Sequence, residues 1–220
     1  MPVYLKADCL GLIDGLLRRH TKGEVEFYAG LAREAGAESI LELACGFGRV
    51  MMPLAQQGFS VTGIEASEEM IEIGKQKVAV LNRRTRRRIH FVKGDMRNFS
   101  LAPPQFKLII IPYFSFWFNF SHDCHEIRDE IEKQEASSTL DCALKHLTDD
   151  GMFVIDSPLY HESLIADNST KGRWWKQVLA KGDVTVETRG YSYQLQHQIY
   201  GETGFRTEHG HVAIIKKKKS

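Results

Sequence analysis

Ser39-Ile40-Leu41-Glu42-Leu43-Ala44-Cys45-Gly46-Phe47-Gly48-Arg49 is the stretch that decides the fold. Apolar residues dominate its first half and small ones its second, as in a buried parallel strand that ends in an abrupt turn. Gly46 and Gly48 permit positive φ and let a ligand approach bare backbone. The helix expected from about Val50 to Gln57 would aim its free N–H groups at that ligand. Glu65 closes the next expected strand, where nucleotide-binding folds place an acid against a ribose. Together these features point to a nucleoside-containing cofactor.

Outward from that turn, apolar runs alternate with helical periods. Strands are expected at Ile40–Ala44, Ser60–Glu65, Ile89–Val92, Phe106–Ile111 and Met152–Asp156, the fourth a continuous run that ends in β-branched Ile109–Ile111 and is expected to be buried on both faces. Pro53 falls within or just beyond a helix's first turn and loses little there, and Gly58 closes that helix. Ser67 is an N-cap, with Glu68 and Glu69 suited to the positive helix end. Arg83–Arg88 reads as a polar interruption, about Cys124 to Leu147 as a long polar helix, and Asp149-Asp150-Gly151 as a turn. Strand–helix alternation implies right-handed crossovers. The expected fold is therefore α/β: a doubly wound, mostly parallel Rossmann-like sheet with helices on both faces and antiparallel strands near the C-terminus.

Ligands of such sheets bind outside the carboxyl ends of the strands. Ala44–Gly48, Glu65, Asp95, Pro112–Phe116 and Asp156–Pro158 all fall on that edge. Beyond Asp156 the alternation stops. Val184–Thr188 and Tyr191–Gln196 read as a hairpin about Gly190, and Gly204–Glu208 with His211–Lys217 as a second about Gly210. Apolar residues Leu10, Ile13, Leu16 and Leu17, then a segment opening at Glu24, predict helices ahead of the first strand. The chain thus reads as a single domain over 1–220: candidate lid helices in 1–37, a cofactor core in 38–157, and a substrate-side segment with terminal strands in 158–220.

A dinucleotide site would want G-x-G-x-x-G. Here Gly46-Phe47-Gly48 is followed by Arg49, Val50 and Met51, and Glu42 is foreign to that fingerprint. Leu41–Arg49 instead resembles motif I of the class I S-adenosylmethionine-dependent methyltransferases, an acid followed by alternating small residues. The resemblance continues in Val61–Met70, Phe91–Arg97, Phe106–Ser115 and Leu147–Asp156, covering roughly residues 24–157, and the Ile110–Phe116 stretch is similar to small-molecule members of the methyltransferase-domain superfamily. It implies S-adenosylmethionine as cofactor. Cofactor contact is then implied for Glu42 (loop or ammonium), Ala44, Cys45, Gly46 and Gly48 (loop), Glu65 (ribose), the adjoining Ala66, Asp95 (adenine amino group), Met96 (adenine ring) and Pro112. Tyr113, Ser115 and Phe116 are implied for the acceptor. Ala44 and Glu42 depart from the commoner glycine and aspartate.

The residues assign no catalytic group, because a sulfonium is already an activated methyl donor and the protein need only orient an acceptor. His122, His161 or Tyr113 is a general base only if the acceptor requires one. Cys45 reads as a small neutral filler, having no basic sequence neighbour to activate a thiolate. His122-Asp123-Cys124-His125 matches no structural zinc spacing, so no metal is expected. Four cysteines without a dense pattern favour a reducing, cytoplasmic setting. No targeting segment or membrane span is read from the sequence.

A net charge of +1 gives no global pull towards nucleic acid. The Arg83–Arg88 cluster falls at the edge opposite the cofactor, which argues against a nucleic-acid grip. A small-molecule acceptor is therefore expected, in a monomer or homodimer. The alternatives are an RNA methyltransferase, or a non-catalytic S-adenosylmethionine-binding protein whose acceptor site is incomplete. The latter is motivated by Tyr200–Phe205, which runs directly between terminal strands where family members usually insert a helix.

Overall fold

A computed structural model describes residues 23–101, 106–112, 130–157, 183–199 and 202–218. The helix expected around Leu10–Leu17 and the acceptor stretch Tyr113–Phe116 lie outside these residues. In chain order the elements are α1 (Glu24–Glu34), β1 (Ser39–Leu43), α2 (Met51–Gln56), β2 (Ser60–Glu65), α3 (Glu68–Ala79), α4 (Arg83–Arg86), β3 (Ile89–Lys93), β4 (Phe106–Ile111), α5 (Glu130–His146), β5 (Leu147–Ser157), β6 (Val184–Ile199) and β7 (Glu202–Lys217).

The strands form one seven-stranded sheet in the order β3-β2-β1-β4-β5-β7-β6. β1 pairs in parallel with β2 on one side and β4 on the other, so the decisive stretch is central. β3 and β5 extend the parallel sheet, and β7 runs antiparallel to β5 and β6. The reversal of strand order at β1 and β4 makes a crevice at their carboxyl ends, the usual ligand position in such sheets.

Alternation along the central strands explains the two-sided core. Leu41, Leu43, Ile109, Ile111, Phe153 and Ile155 pack on one face against Ala136, Leu140 and Ala143 of α5. Ile40, Leu108, Ile110 and Val154 pack on the other against Tyr28, Leu31 and Ala32 of α1 and Met51, Leu54 and Ala55 of α2. Each fully buried aliphatic side chain of this kind is worth about 1.5–3 kcal/mol. Local signals set the helix ends: Ser67 Oγ accepts from Met70 N at 3.3 Å, and Asn82 Oδ1 accepts from Thr85 N at 2.9 Å. Gly58 takes φ 111° just beyond α2.

Three local expectations are corrected. The first is at the terminal strands, where the two short hairpins are one long one, paired from Val184↔Lys217 to Ile199↔Glu202. Gly190 and Gly210 are not turns: they sit in extended pairs with His211 and Tyr191. Glycine accepts extended backbone as readily as a turn, and the continuous ladder to either side fixes it there. The second is at Asp149-Asp150-Gly151, which lies inside β5, where five steps from Leu147 to Met152 oppose two in β4. The extra residues are absorbed as a strand irregularity rather than a separate turn. The third is at Arg83–Arg86, which forms a short helix because Asn82 caps it and Thr85 is buried.

Gly63 of β2 is required by packing. A Cβ at Gly63 of β2 would lie 2.5 Å from Cys45 Sγ and 2.8 Å from its Cβ. Gly63→Ala is expected to destabilise the protein by about 1–3 kcal/mol through overpacking, with part of the loss recovered in Gly63→Ala/Cys45→Ala. Urea unfolding checks this, and an unchanged midpoint for Gly63→Ala would contradict it.

Candidate functional site

The turn leaving β1 is built from left-handed backbone. Ala44, Gly46 and Gly48 have φ of 54°, 55° and 89°, and Ala44 is the non-glycine at positive φ among the described residues. Such a conformation costs an L-residue about 1–2 kcal/mol, so the surroundings must hold it. Cys45 N–H donates to Ile64 O at 3.1 Å and Gly48 N–H to Cys45 O at 2.9 Å. Gly46 and Gly48 differ in purpose. A Cβ at Gly48 would sit 3.0 Å from Met51 Cγ and Phe91 Cζ, whereas one at Gly46 would meet nothing within 4 Å among the described residues. Gly48 is a packing glycine; Gly46 faces open space.

Glu65 ties the neighbouring strand ends together. Its carboxylate accepts from Gly46 N–H at 2.9 Å and from Ser67 N–H at 2.8 Å. Its backbone carbonyl accepts from Gly94 N–H, beyond β3, at 2.9 Å. Glu65 is half-buried and Ala66 beside it is exposed, so this corner of the turn is open to a ligand.

Behind the turn lies a buried cluster of charge. Glu42, 2% exposed, has no hydrogen-bond partner at Oε2 among the described residues. Arg49 reaches back to the first turn of α1, donating to Glu24 at 2.5 Å and 2.9 Å in a fork-to-fork pair that is almost wholly buried. Burial pushes the Glu42 carboxyl up to about 8, against the opposing pull of Arg49 and with the repulsion of Glu24 and Glu65 adding to it. An orphaned buried carboxylate oxygen beside a ligand-ready turn is an unusual expense, and a cationic ligand group would satisfy it.

Cys45 is buried, and burial first, then the charges of Glu42 and Glu65, push its thiol well up. It is a packed thiol and no activated nucleophile. Asp95, after β3, accepts from Arg97 N–H at 2.9 Å and from Arg97 Nε at 2.8 Å and 2.9 Å; Arg97 also donates to Asp95 Oδ2 and Glu135 of α5 through its terminal nitrogens. The Arg97 side chain holds the Asp95 carboxyl below its ordinary range. Met96 is buried in the core cluster with Leu41, Leu43, Ile64 and Phe99, and Pro112 is buried just past β4.

The structure thus gathers Glu42, Ala44, Cys45, Gly46, Gly48, Glu65 and Ala66 at the carboxyl ends of β1 and β2, with Asp95 and Met96 following β3 and Pro112 following β4. Tyr113, Ser115, Phe116, His122, His125 and His161 lie outside the described residues. Glu24, Arg49, Arg97 and Glu135 were not singled out from sequence. Their pairings span 25 and 38 positions, and no local pattern encodes them. Among the described residues no group of three or more His, Cys, Asp or Glu is arranged to hold a metal, and no helix is long and apolar enough to cross a membrane.

Residues 40–134 match the family profile of a methyltransferase domain. The chain is 42% identical over 72 residues to the putative methyltransferase YqeM of Bacillus subtilis, a match over 33% of this chain and 27% of that protein. It is 36% identical over 58 residues to human glycine N-methyltransferase, over 26% of this chain and 20% of that one. These matches span well under half of the curated relatives' own lengths. Among solved structures, the glycopeptide N-methyltransferase MtfA superposes with a TM-score of 0.60 at 18% identity, over 89% of this chain and 95% of that one, a likeness of fold.

The raised Glu42 carboxyl sets a pH dependence with a defined sign. Its folded value, about 8, lies above the ordinary 4.5, so the folded state binds the proton more tightly than the unfolded state. Its contribution to stability is full below pH 4.5 and is lost as pH rises to 8. Relative to Glu42→Gln, the unaltered protein should therefore lose stability across that window, by a few kcal/mol at most. Urea unfolding of both proteins at stepped pH checks this; parallel curves would contradict it.

Proposed function

We propose that this chain, which belongs through its methyltransferase domain to the class I S-adenosylmethionine-dependent methyltransferases, transfers a methyl group from S-adenosylmethionine to a nucleophile on a small-molecule acceptor. The observation that carries the reading is the open left-handed turn at Gly46, bracketed by the half-buried Glu65 carboxylate and the partnerless buried oxygen of Glu42. That arrangement suits a ligand with a ribose at one end and an ammonium at the other. MtfA has been crystallised with S-adenosylmethionine, in a structure that superposes at a TM-score of 0.55.

Each residue then has a physical task. Gly46 admits the ligand to bare backbone, and the φ of Ala44 turns the chain away from β1 to make room. Cys45 and Gly48 pack the turn from beneath. Glu65 retains lone pairs for the two ribose hydroxyls while holding Gly46 N–H, and Glu42 takes the ammonium. Asp95, oriented by Arg97, accepts from the adenine amino group beside Ala66 and Met96. Pro112, buried just past β4, contacts the donor, and Tyr113, Ser115 and Phe116 are the acceptor contacts that the family resemblance implies.

The donor supplies an electrophilic methyl on a positively charged sulfur, which leaves as a neutral thioether when the acceptor's lone pair forms the new bond. The protein's part is orientation and exclusion of water. A neutral acceptor loses its proton afterwards, to solvent or to a base. The Arg83–Arg87 side chains precede β3, at the amino edge of the sheet, which disfavours an RNA acceptor.

Calorimetry with S-adenosylhomocysteine should show saturable binding, and Glu65→Ala should weaken it by about 1–3 kcal/mol. Unchanged affinity in that variant would refute the ribose assignment. Incubation with S-adenosylmethionine and a panel of small amines, alcohols and acids should yield S-adenosylhomocysteine with at least one acceptor. Binding without turnover across the panel would leave the non-catalytic alternative standing.

A further inference from the structure

Behind the turn two buried carboxylates, Glu24 and Glu42, share one guanidinium unevenly, and Asp156 of β5 is a further buried acid on the same sheet edge. Arg49 is near enough to Glu42 to oppose the rise in its pKa, yet its two forked bonds go to Glu24 on α1. Glu24 and Glu42 are 3% and 2% exposed, so neither carboxylate has bulk water as an alternative partner. The Met51 N–H at the start of α2 favours the charged form of Glu42, while its Oε2 has no hydrogen-bond partner among the described residues. Glu24 of α1 and Glu65 of β2 both repel its charged form, and Tyr28 of α1 acts on Arg49. A single buried cation shared by two acids satisfies the one with the better geometry, and here that is Glu24.

We propose that Glu24 is a positioning residue for cofactor selectivity: by holding Arg49 in a forked pair it leaves the Glu42 Oε2 without a hydrogen-bonding cation among the described residues, so that the ammonium of the donor's amino-acid end supplies one. This rests on the methyl-donor reading above and adds to it a residue of α1, outside the motif. The physical consequence is a preference for ligands that carry the amino-acid end over otherwise similar nucleosides that lack it. Removing Glu24's charge frees Arg49 to satisfy Glu42 internally, and the ammonium then gains little. A second consequence is that an ammonium paired with Glu42 lowers the proton affinity that burial raises, so that donor binding releases a proton.

The test compares S-adenosylhomocysteine with 5′-methylthioadenosine, which shares the nucleoside and lacks the amino-acid end, by calorimetry on the full chain. The unaltered protein should favour S-adenosylhomocysteine. Glu24→Gln should cut that preference by about tenfold or more while leaving 5′-methylthioadenosine affinity nearly unchanged. Titrations at about pH 6.5 in two buffers of different ionisation enthalpy should show roughly one proton released on S-adenosylhomocysteine binding, and fewer in Glu24→Gln. In a Glu42→Gln background, Glu24→Gln should have no further effect on the preference.

A merely structural Glu24 would weaken both ligands alike or act additively with Glu42→Gln, and either result overturns the proposal. Should Glu24→Gln fail to fold, Glu42→Gln must abolish the preference and Glu24→Asp must keep it; any other pattern overturns the proposal. If the unaltered protein binds neither ligand, the donor reading itself falls. Binding of both without preference removes only the role given to Glu24 and Glu42.

Discussion

The hydrogen bond from Gly46 N–H to the Glu65 carboxylate holds the site in place. It joins the turn after β1 to the end of β2, while Glu65's own carbonyl receives Gly94 N–H from beyond β3. Three adjacent strand ends are thereby fixed by one residue. Ala44 and Gly46 can remain left-handed because Cys45 is tied to Ile64 on one side and Gly46 to Glu65 on the other. The strain of the turn is offset by the sheet, a common arrangement where backbone must be bare to a ligand.

Beneath that turn the packing allows no slack. Gly63 lies against Cys45, and Gly74 of α3 lies against Phe91 and the Phe47 carbonyl, where an added Cβ would be 2.5 Å and 2.9 Å away. The glycines below the turn bring elements together, while Gly46 above it leaves a space. The electrostatics follow the same division. The Glu24–Arg49 pair is satisfied within the fold, whereas the Glu42 Oε2 has no hydrogen-bond partner among the described residues. Keeping a buried carboxylate in that state costs stability at neutral pH, in the manner expected of residues retained for binding.

The central sheet was legible because its signals are local and redundant. Phe106–Ile111 is continuously β-branched apart from its first three residues, and the apolar parity of Ile40, Leu41 and Leu43 matches a strand buried on both faces. Motif spacing also placed Glu65 and Asp95 at strand ends. The terminal hairpin was misread because Gly190 and Gly210 carry the usual mark of a turn, and only cross-strand register shows that they lie within a ladder. The charge cluster was illegible for a different reason. Glu24 and Arg49 sit in separate elements whose approach depends on α1 packing over β1 and α2, a property of the whole core.

A crystal structure of the protein with S-adenosylhomocysteine most directly tests the central claim that the turn after β1 cradles a methyl donor. The ligand should lie over Gly46, with both ribose hydroxyls within hydrogen-bond distance of Glu65 and the ammonium at Glu42. A ligand bound elsewhere, or one whose ribose is remote from Glu65, would contradict it.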